Sequence, residues 1–206
     1  MDLDALTSKH LYIRRKRIVR FKCDQRKLRE LILYISRHSE TDERFGKTKL
    51  LKLLFYSDFL AYLRLGKPIT GAEYKALGQG PAPSNIDWFL EKMQEDKQLF
   101  IRTDNYHGHK QFRPLALRNP DLAVFTVRER KLVDELIGKN RKKNAKDVSD
   151  QSHKFHGWHL ARFSKDGKTI SYNMALIGDR QPTDEEVEYG RSLEPLALEC
   201  LARHGT

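Results

Sequence analysis

The segment that most constrains the fold of this chain is an apolar stretch from about residue 48 to residue 65. Its apolar side chains would cover most of the circumference of a helix: Leu50, Leu51, Leu53, Leu54, Phe55, Phe59, Leu60, Tyr62 and Leu63. A helix that is hydrophobic all round has no face to give to water, so it belongs in a core. Lys52 and Asp58 interrupt the run, which argues against a membrane span of about 20 apolar residues. We therefore predict a central helix around which the other elements pack.

Asp58 falls inside the main apolar stripe of this predicted helix. A carboxylate in such a place needs hydrogen-bond donors, because burying an unpartnered charge is costly. Two interpretations stay open. The first is a structural Asp that backbone N–H groups, a Tyr or an Arg satisfy, and the second is a residue of a functional site. The structural interpretation is favoured, since buried polar groups are generally hydrogen-bonded.

Apolar residues at helical spacing predict several further helices. They cover residues 25–38, 84–96 with Ser84 as N-cap, 126–138 with Thr126 as N-cap and Gly138 as the stop, 148–162, and a last helix after Pro182. Each start rests on a residue type that caps helix N-termini or on the apolar period that follows it.

The remaining signals predict short extended pieces and loops. Residues 99–103 and 110–115 predict a hairpin around a loop of five or six residues, and residues 73–77 and 167–172 predict extended pieces. Glycines and prolines predict a rigid, exposed loop over residues 78–84. We therefore predict a mainly α fold with a small β-hairpin, a single compact helical domain of the α+β class. It covers residues 25–206 and follows a basic N-terminal extension, residues 1–24.

The chain is strongly basic, with 39 Lys and Arg against 28 Asp and Glu and a formal net charge of +11. Two clusters carry much of this charge: Arg14, Arg15, Lys16, Arg17, Arg20 and Lys22, and then Lys139, Arg141, Lys142, Lys143 and Lys146. Charge runs are usually solvated surface, and this interpretation is favoured. Contact with nucleic-acid phosphates through these basic segments stays open.

A helix followed by a basic hairpin is the outline of a winged helix. In such a protein the helix over residues 84–96 would enter a major groove, and Arg102, Lys110 and Arg113 would contact phosphates. The helix carries an acidic face, however, made of Asp87, Glu91, Glu95 and Asp96. Phosphates would repel that face, so a winged-helix-like nucleic-acid-binding regulator is the alternative function rather than the first one.

The sequence contains no positive sign of an enzyme. Gly46-Lys47-Thr48 resembles the end of a phosphate-binding loop, but the upstream glycine and strand of that motif are missing. His153, His156 and His159 have helical spacing without the Cys or carboxylate ligands that metal sites usually add. No Ser or Cys lies in a nucleophile motif. We expect no catalytic residue, no metal and no cofactor.

The two cysteines, Cys23 and Cys200, form no disulfide framework, and the first residues do not read as a secretory signal. Unbridged thiols are typical of a reducing compartment. We expect a cytoplasmic protein without a membrane span.

Two separated blocks of sequence resemble the Panacea domain of bacterial and phage antitoxins. The first is Thr48-Lys-Leu-Leu-Lys-Leu-Leu-Phe-Tyr-Ser-Asp-Phe59, followed by Gly66-Lys-Pro-Ile-Thr-Gly71, Glu73-Tyr74 and Gly80-Pro81. The second is Ser149, Ser152-His153 and Trp158, followed by Asp166-Gly167 and Ile170-Ser171-Tyr172. Agreement of two blocks in the expected order is far less frequent by chance than agreement of one.

This resemblance implies the antitoxin of a toxin–antitoxin pair, which neutralises a cognate protein toxin by direct binding. Toxins paired with the family include proteins similar to small alarmone synthetases, so such a toxin is one candidate partner. A homo-oligomer stays open. The basic extension before residue 25 and the lysine-rich segment around Lys142 depart from the minimal domain.

Within the resemblance we assign partner contact to Tyr74, Gly78, Gln79, Gly80, Pro81 and Ser84, because a rigid exposed loop suits recognition. Asp58, Tyr74, His153 and Trp158 are favoured as members of a polar network in the core over direct toxin contacts, so Tyr74 carries both assignments.

Overall fold

A computed structural model of the protein describes residues 21–106, 108–164 and 168–176, together with 183–185, 188, 189, 191–193, 195 and 199. Its helices and strands follow in this order: α1 (Gln25–His38), α2 (Lys47–Leu65), β1 (Tyr74–Leu77), β2 (Gly80–Pro83), α3 (Ile86–Glu95), β3 (Leu99–Tyr106), β4 (His109–Ala116), α4 (Val127–Asn140), α5 (Ala145–His153), α6 (His156–Phe163) and β5 (Thr169–Ile170). Short 3-10 turns lie at Leu122–Val124 and Tyr172–Leu176. The prediction of a mainly helical α+β fold is confirmed.

Helix α2 is the centre of the fold, as the apolar stretch predicts. Eleven of its 19 residues are buried. It packs against α1, α4 and α5, against strands β2 and β4, and against the 3-10 turn at Tyr172–Leu176. Gly66 ends the helix in the left-handed region, with φ 77°, and its N–H donates to the Tyr62 carbonyl. These partners run from α1 to the 3-10 turn at Tyr172–Leu176, so α2 contacts elements from along most of the described chain.

Strands β2, β1 and β5 form a small antiparallel sheet in that order. The register of β1 and β2 runs from Tyr74 opposite Pro83 to Leu77 opposite Gly80. The predicted exposed loop over residues 78–84 is therefore wrong for residues 80–83, which are strand β2 and are buried. Two prolines are tolerated in this strand because it lies at an edge of the sheet.

Strands β3 and β4 form a separate two-stranded hairpin in register from Leu99 opposite Ala116 to Tyr106 opposite His109. Residues 107 and 108 connect them, so the predicted five- or six-residue loop is wrong. The predicted strands, residues 99–103 and 110–115, leave Asp104 in the loop. In the structure it lies within β3, where its carboxylate accepts two hydrogen bonds from the Arg102 guanidinium, at 2.7 and 2.8 Å.

Three predicted helix boundaries need correction. Asn85, not Ser84, is the N-cap of α3, and the Ser84 hydroxyl instead donates to the Glu73 carboxylate at 2.9 Å. Helix α4 continues past Gly138 to Asn140, whose side chain donates to the Leu136 carbonyl. The single helix predicted over residues 148–162 is two helices, α5 and α6. The helix predicted after Pro182 lies largely outside the described residues.

The described chain begins with residues that pack onto the domain. Phe21 makes edge contacts with Tyr62 and Tyr172, with ring centroids 5.7 and 5.5 Å apart. The backbone N–H of Asp24 donates to the Thr70 carbonyl at 2.8 Å. Residues 21 and 24 of the predicted extension therefore contact the domain. Residues 1–20 lie outside the described part of the chain, as does Cys200.

Within the described residues, none of the helices has both the length and the hydropathy needed to cross a membrane.

Helix α4 starts with a capping box, which gives a direct test of the helix start. The Thr126 hydroxyl accepts from the Glu129 N–H at 3.2 Å, and the Glu129 carboxylate accepts from the Thr126 N–H at 2.7 Å. We expect Thr126→Ala to lower the free energy of unfolding by about 1 kcal/mol, measured by urea denaturation. Thr126→Ser keeps the hydroxyl and should stay within about 0.5 kcal/mol of the parent. Equal losses in the two variants would contradict a capping role.

Candidate functional site

Three charged side chains of α2 are buried: Lys49, Lys52 and Asp58. Each of them bonds to a different segment outside the helix. These bonds matter because buried charges are tolerated only when they are hydrogen-bonded or paired. The candidate site is built on the two segments that Lys52 and Asp58 hold.

Asp58 binds the segment that leads into β1. Its Oδ1 accepts the Thr70 N–H at 2.7 Å, and its Oδ2 accepts the Tyr74 hydroxyl at 2.9 Å and also the Thr70 hydroxyl. Tyr172 extends the network, because its hydroxyl donates to the Ala72 carbonyl at 2.7 Å. Asp58 has no exposed surface. This geometry matches the structural interpretation of the residue.

The surroundings of Asp58 disfavour the charged form of its side chain. Burial raises the pKa of Asp58 above its usual range, against the opposing effect of the hydrogen bonds from Thr70 and Tyr74. A carboxyl whose pKa is higher in the folded state stabilises the fold most below its unfolded pKa of about 4, and this contribution is lost as the pH rises through the folded value. Burial beside Asp58 also raises the pKa of Tyr74, which keeps the phenol a donor.

Lys52 holds strand β2. Its Nζ donates to the Pro81 carbonyl at 3.0 Å, and burial lowers the pKa of the ammonium to about 8. Gly80 lies at the same place with φ +96°, where a Cβ would clash with the Ser152 hydroxyl and come within 2.9 Å of Lys52 Cε. Only glycine fits there, so α2, β2 and α5 meet at Gly80.

Lys49 holds the lysine-rich segment between α4 and α5. Its Nζ pairs with Asp42 at 2.6 Å and donates to the Lys143 carbonyl at 2.8 Å. Burial lowers the pKa of Lys49, although Asp42 opposes the shift. This segment is therefore fixed at its backbone, while the side chain of Lys142 is exposed, as is that of Lys146 in the first turn of α5.

The second sequence block contacts the turn between β1 and β2. The Trp158 indole N–H donates to the Leu77 carbonyl at 3.0 Å, and the Ser149 hydroxyl donates to the Gln79 carbonyl at 2.6 Å. His153 stacks on Trp158, with ring centroids 4.3 Å apart. Burial lowers the pKa of His153, with Lys52 as a further cause. Residues of the second block, about 80 positions later in the sequence, therefore hold the turn between β1 and β2 in place.

We call the exposed tip of this turn, Leu77, Gly78 and Gln79, the turn surface. Gly78 and Gln79 are exposed, and the Leu77 side chain is 47% exposed. The alternation along β1 explains this: Tyr74 and Ala76 point inward, and Leu77 points outward. Leu77 was not among the residues assigned to partner contact, although the alternation of a strand over residues 73–77 would have indicated that its side chain faces outward.

The structure separates the residues to which partner contact was assigned. Tyr74 is fully buried and its hydroxyl donates to Asp58, so the free chain supports its assignment to the core network and not its assignment to partner contact. Gly80 and Pro81 are also buried, because they belong to β2 rather than to an exposed loop. Gly78, Gln79 and the half-buried Ser84 remain accessible. Partner contact stays a prediction for those three residues.

The surface predicted to contact phosphates in a winged-helix protein is poorly arranged for that role. The acidic side chains of α3 are exposed as a group. Arg113 is only 7% exposed and donates to the Glu40 carbonyl at 2.6 Å, and Arg102 is paired with Asp104. Of the three cations assigned to phosphate contact on this hairpin, only Lys110 has neither a buried position nor a carboxylate partner in the described part of the chain.

The described residues also show no group of three or more His, Cys, Asp or Glu side chains that could hold a metal ion.

Comparison with known proteins gives one match. The family model described as "Antitoxin SocA-like, Panacea domain" matches residues 50–159, just over half of the chain. The match contains Asp58, Tyr74, the turn surface and Trp158. No curated protein and no solved structure matches the chain.

The Asp58 network predicts a clear difference between two tyrosines. Tyr74→Phe removes a donor from a buried carboxylate, so we expect the free energy of unfolding to fall by about 1–3 kcal/mol. The matched control is Tyr56→Phe, because the Tyr56 hydroxyl is buried and has no hydrogen-bond partner among the described residues. Its removal should cost less than about 0.5 kcal/mol. Equal costs in urea denaturation would show that the hydrogen bond to Asp58 is not what matters.

Lys52 predicts a pH dependence of stability. Between about pH 8 and the unfolded value near 10.4, the unfolded chain keeps the proton that folded Lys52 releases, so stability rises with pH. Lys52→Met abolishes this contribution. From about pH 7.5 to about pH 9.5 the parent should gain about 2 kcal/mol relative to Lys52→Met.

The control for this prediction is Lys67→Met, which replaces an exposed lysine. The free energy of unfolding of this variant should change with pH in the same way as that of the parent over this range. If the curve of Lys52→Met is also parallel to the parent, Lys52 keeps its proton when folded and the account of this residue fails.

Proposed function

The chain belongs to the SocA-like antitoxin family with a Panacea domain, and on that basis we propose that it neutralises a cognate protein toxin by binding it directly. In this proposal it acts in the cytoplasm as the antitoxin of a type II toxin–antitoxin pair. The observation that carries the proposal is the family match over residues 50–159. A toxin similar to small alarmone synthetases is one partner class that the proposal admits.

Direct binding requires no catalytic group, only a surface that blocks or traps the toxin. The turn surface suits this role because its backbone is fixed from several sides. Trp158 binds the Leu77 carbonyl, Ser149 binds the Gln79 carbonyl, and β2 pairs with β1 up to Leu77. A surface that is already ordered loses little conformational entropy on binding, which favours affinity.

The chemistry of the turn surface also supports contact with a protein. Leu77 is an exposed apolar side chain that can fill a pocket on a partner, and Gln79 offers both donors and acceptors beside it. A few residues near the centre of an interface carry most of its binding energy, and Leu77 is the apolar side chain of the turn surface that can serve as one of them. The formal charge of +11 would speed association with an acidic toxin.

The proposal is tested by growth rescue. Each gene that flanks this one in its source genome is expressed inducibly, alone and together with the full chain carrying an affinity tag. We expect one flanking product to be toxic, the full chain to restore growth, and the two proteins to co-purify as a stable complex. Harmless flanking genes, or rescue without a complex, would contradict direct neutralisation.

The turn surface predicts a pair of matched variants. Leu77→Glu places a charge at the centre of the proposed interface, whereas Leu117→Glu makes the same change at a leucine of similar exposure, 54% against 47%, after β4. We expect Leu77→Glu to weaken toxin binding by at least about tenfold and to reduce rescue, since desolvating an unpaired charge costs more than 1.4 kcal/mol. Leu117→Glu should behave like the parent in both assays.

Thermal denaturation of the two variants serves as the folding control. Both should unfold close to the parent, because both side chains are exposed. If Leu77→Glu binds and rescues as well as Leu117→Glu, the toxin contacts another surface.

A further inference from the structure

A cavity of about 340 Å³ lies where the N-termini of α2 and α5 meet the turn end of the β3–β4 hairpin. Its volume falls at the lower end of the roughly 300–1,000 Å³ typical of small-molecule sites. It shares no residue with the turn surface. The antitoxin function as proposed does not require it.

The described lining of this cavity is basic and contains no carboxylate. Its cations come from three separate parts of the chain: Arg44 and Lys47 around the start of α2, Lys110 in β4 and Lys146 in α5. These parts are far apart in sequence, and the fold brings their charges to one concavity. Clefts lined by charges of one sign concentrate the field, so this one favours an anion.

Most of this charge is not neutralised by the protein. Lys47 pairs with Asp87, which does not line the cavity. Arg44 donates to the carbonyl of Lys142, which leaves its positive charge uncompensated. Lys110 and Lys146 have no carboxylate partner in the described part of the chain. Three full positive charges therefore remain for a ligand.

The start of α2 adds to this potential. Its N-cap is Gly46, which has no side chain to accept the first amides, and its first turn contains no acidic residue. The N-terminal end of a helix carries a partial positive charge that stabilises an anion. A Cβ on Gly46 would lie 3.1 Å from Gln111 Cγ, so glycine lets this helix end approach β4 closely.

The cavity also has aromatic walls. Tyr106 and Phe112 line it, and the Phe112 side chain is 49% exposed. Nucleobases stack favourably on exposed aromatic rings, and every base has a flat face that can do so. A ligand with both an anionic phosphate and a flat base would use the two kinds of wall together.

We propose that this cavity binds a nucleotide, with its phosphate among Arg44, Lys110 and Lys146 and its base against Phe112. Gly46 and Thr48 at the start of α2 line the site without forming the nucleotide-binding loop that the sequence lacks. The nucleotide can come from two sources, a free mononucleotide or a single strand of nucleic acid, and both present the same phosphate and base.

Isothermal titration calorimetry on the full chain tests the proposal with AMP, adenosine, inorganic phosphate and a single-stranded hexanucleotide as probes. The test variant is Lys110→Glu/Lys146→Glu. The control is Lys67→Glu/Lys131→Glu, which changes the net charge equally at two exposed lysines that do not line the cavity. A third variant, Phe112→Ala, removes the proposed stacking partner, and thermal denaturation checks that every variant is folded.

We expect AMP to bind at least tenfold more tightly than adenosine or inorganic phosphate. The test variant should lose at least tenfold in affinity for AMP while the control stays within about twofold. Phe112→Ala should weaken the binding of AMP and leave the affinity for inorganic phosphate unchanged. A hexanucleotide that binds at least tenfold more tightly than AMP, with the same loss in the test variant, would assign the site to a nucleic-acid strand; similar affinities would assign it to free nucleotides.

The proposal is overturned if no nucleotide probe binds, or if the control variant loses as much affinity as the test variant. It is also overturned if inorganic phosphate binds as tightly as AMP, because the base would then contribute nothing. Toxin rescue is not a readout here, so a failure of the nucleotide site and a failure of the antitoxin function are told apart.

Discussion

The fold depends on how α2 accommodates its buried charges. A helix that is apolar on nearly every side can be surrounded by the rest of the chain, but Lys49, Lys52 and Asp58 then have no route to water. Each finds its partners in a different peripheral segment, and those bonds fix the segments to the centre. Removing one partner of such a bond lowers the stability of the fold, because the other partner stays buried and unsatisfied. The charged residues that interrupt the apolar pattern of α2 thus make the hydrogen bonds that hold the peripheral segments to this helix.

These connections position the turn surface. Asp58 fixes the segment that enters β1, and Lys52 fixes the strand that leaves the turn. Helices α5 and α6 complete the support through Ser149 and Trp158. Helix α5 is shared: its first residues line the basic cavity, and Ser149, one turn later, holds Gln79. The two proposed binding surfaces therefore rest on one helix.

Much of this arrangement could be predicted from the sequence, because its signals are local. The apolar stripe placed α2 at the centre, and the position of Asp58 in that stripe indicated a buried, hydrogen-bonded carboxylate. The burial of β2 could not be read in the same way. Gly80, Pro81 and Pro83 are typical loop residues, and only pairing with β1 and the Lys52 contact make them a strand. The basic cavity was equally hidden, since Arg44, Lys110 and Lys146 meet only in the folded chain.

The most direct test of the central claim is amide hydrogen exchange of the free protein and of its complex with the toxic flanking product. Exchange reports local opening of each backbone segment, and a bound partner slows it where the two proteins touch. We expect slower exchange in the complex at residues 76–80 and 149–159, with little change in α1 and α4. Slower exchange confined to other segments, with residues 76–80 unchanged, would contradict recognition through the turn surface.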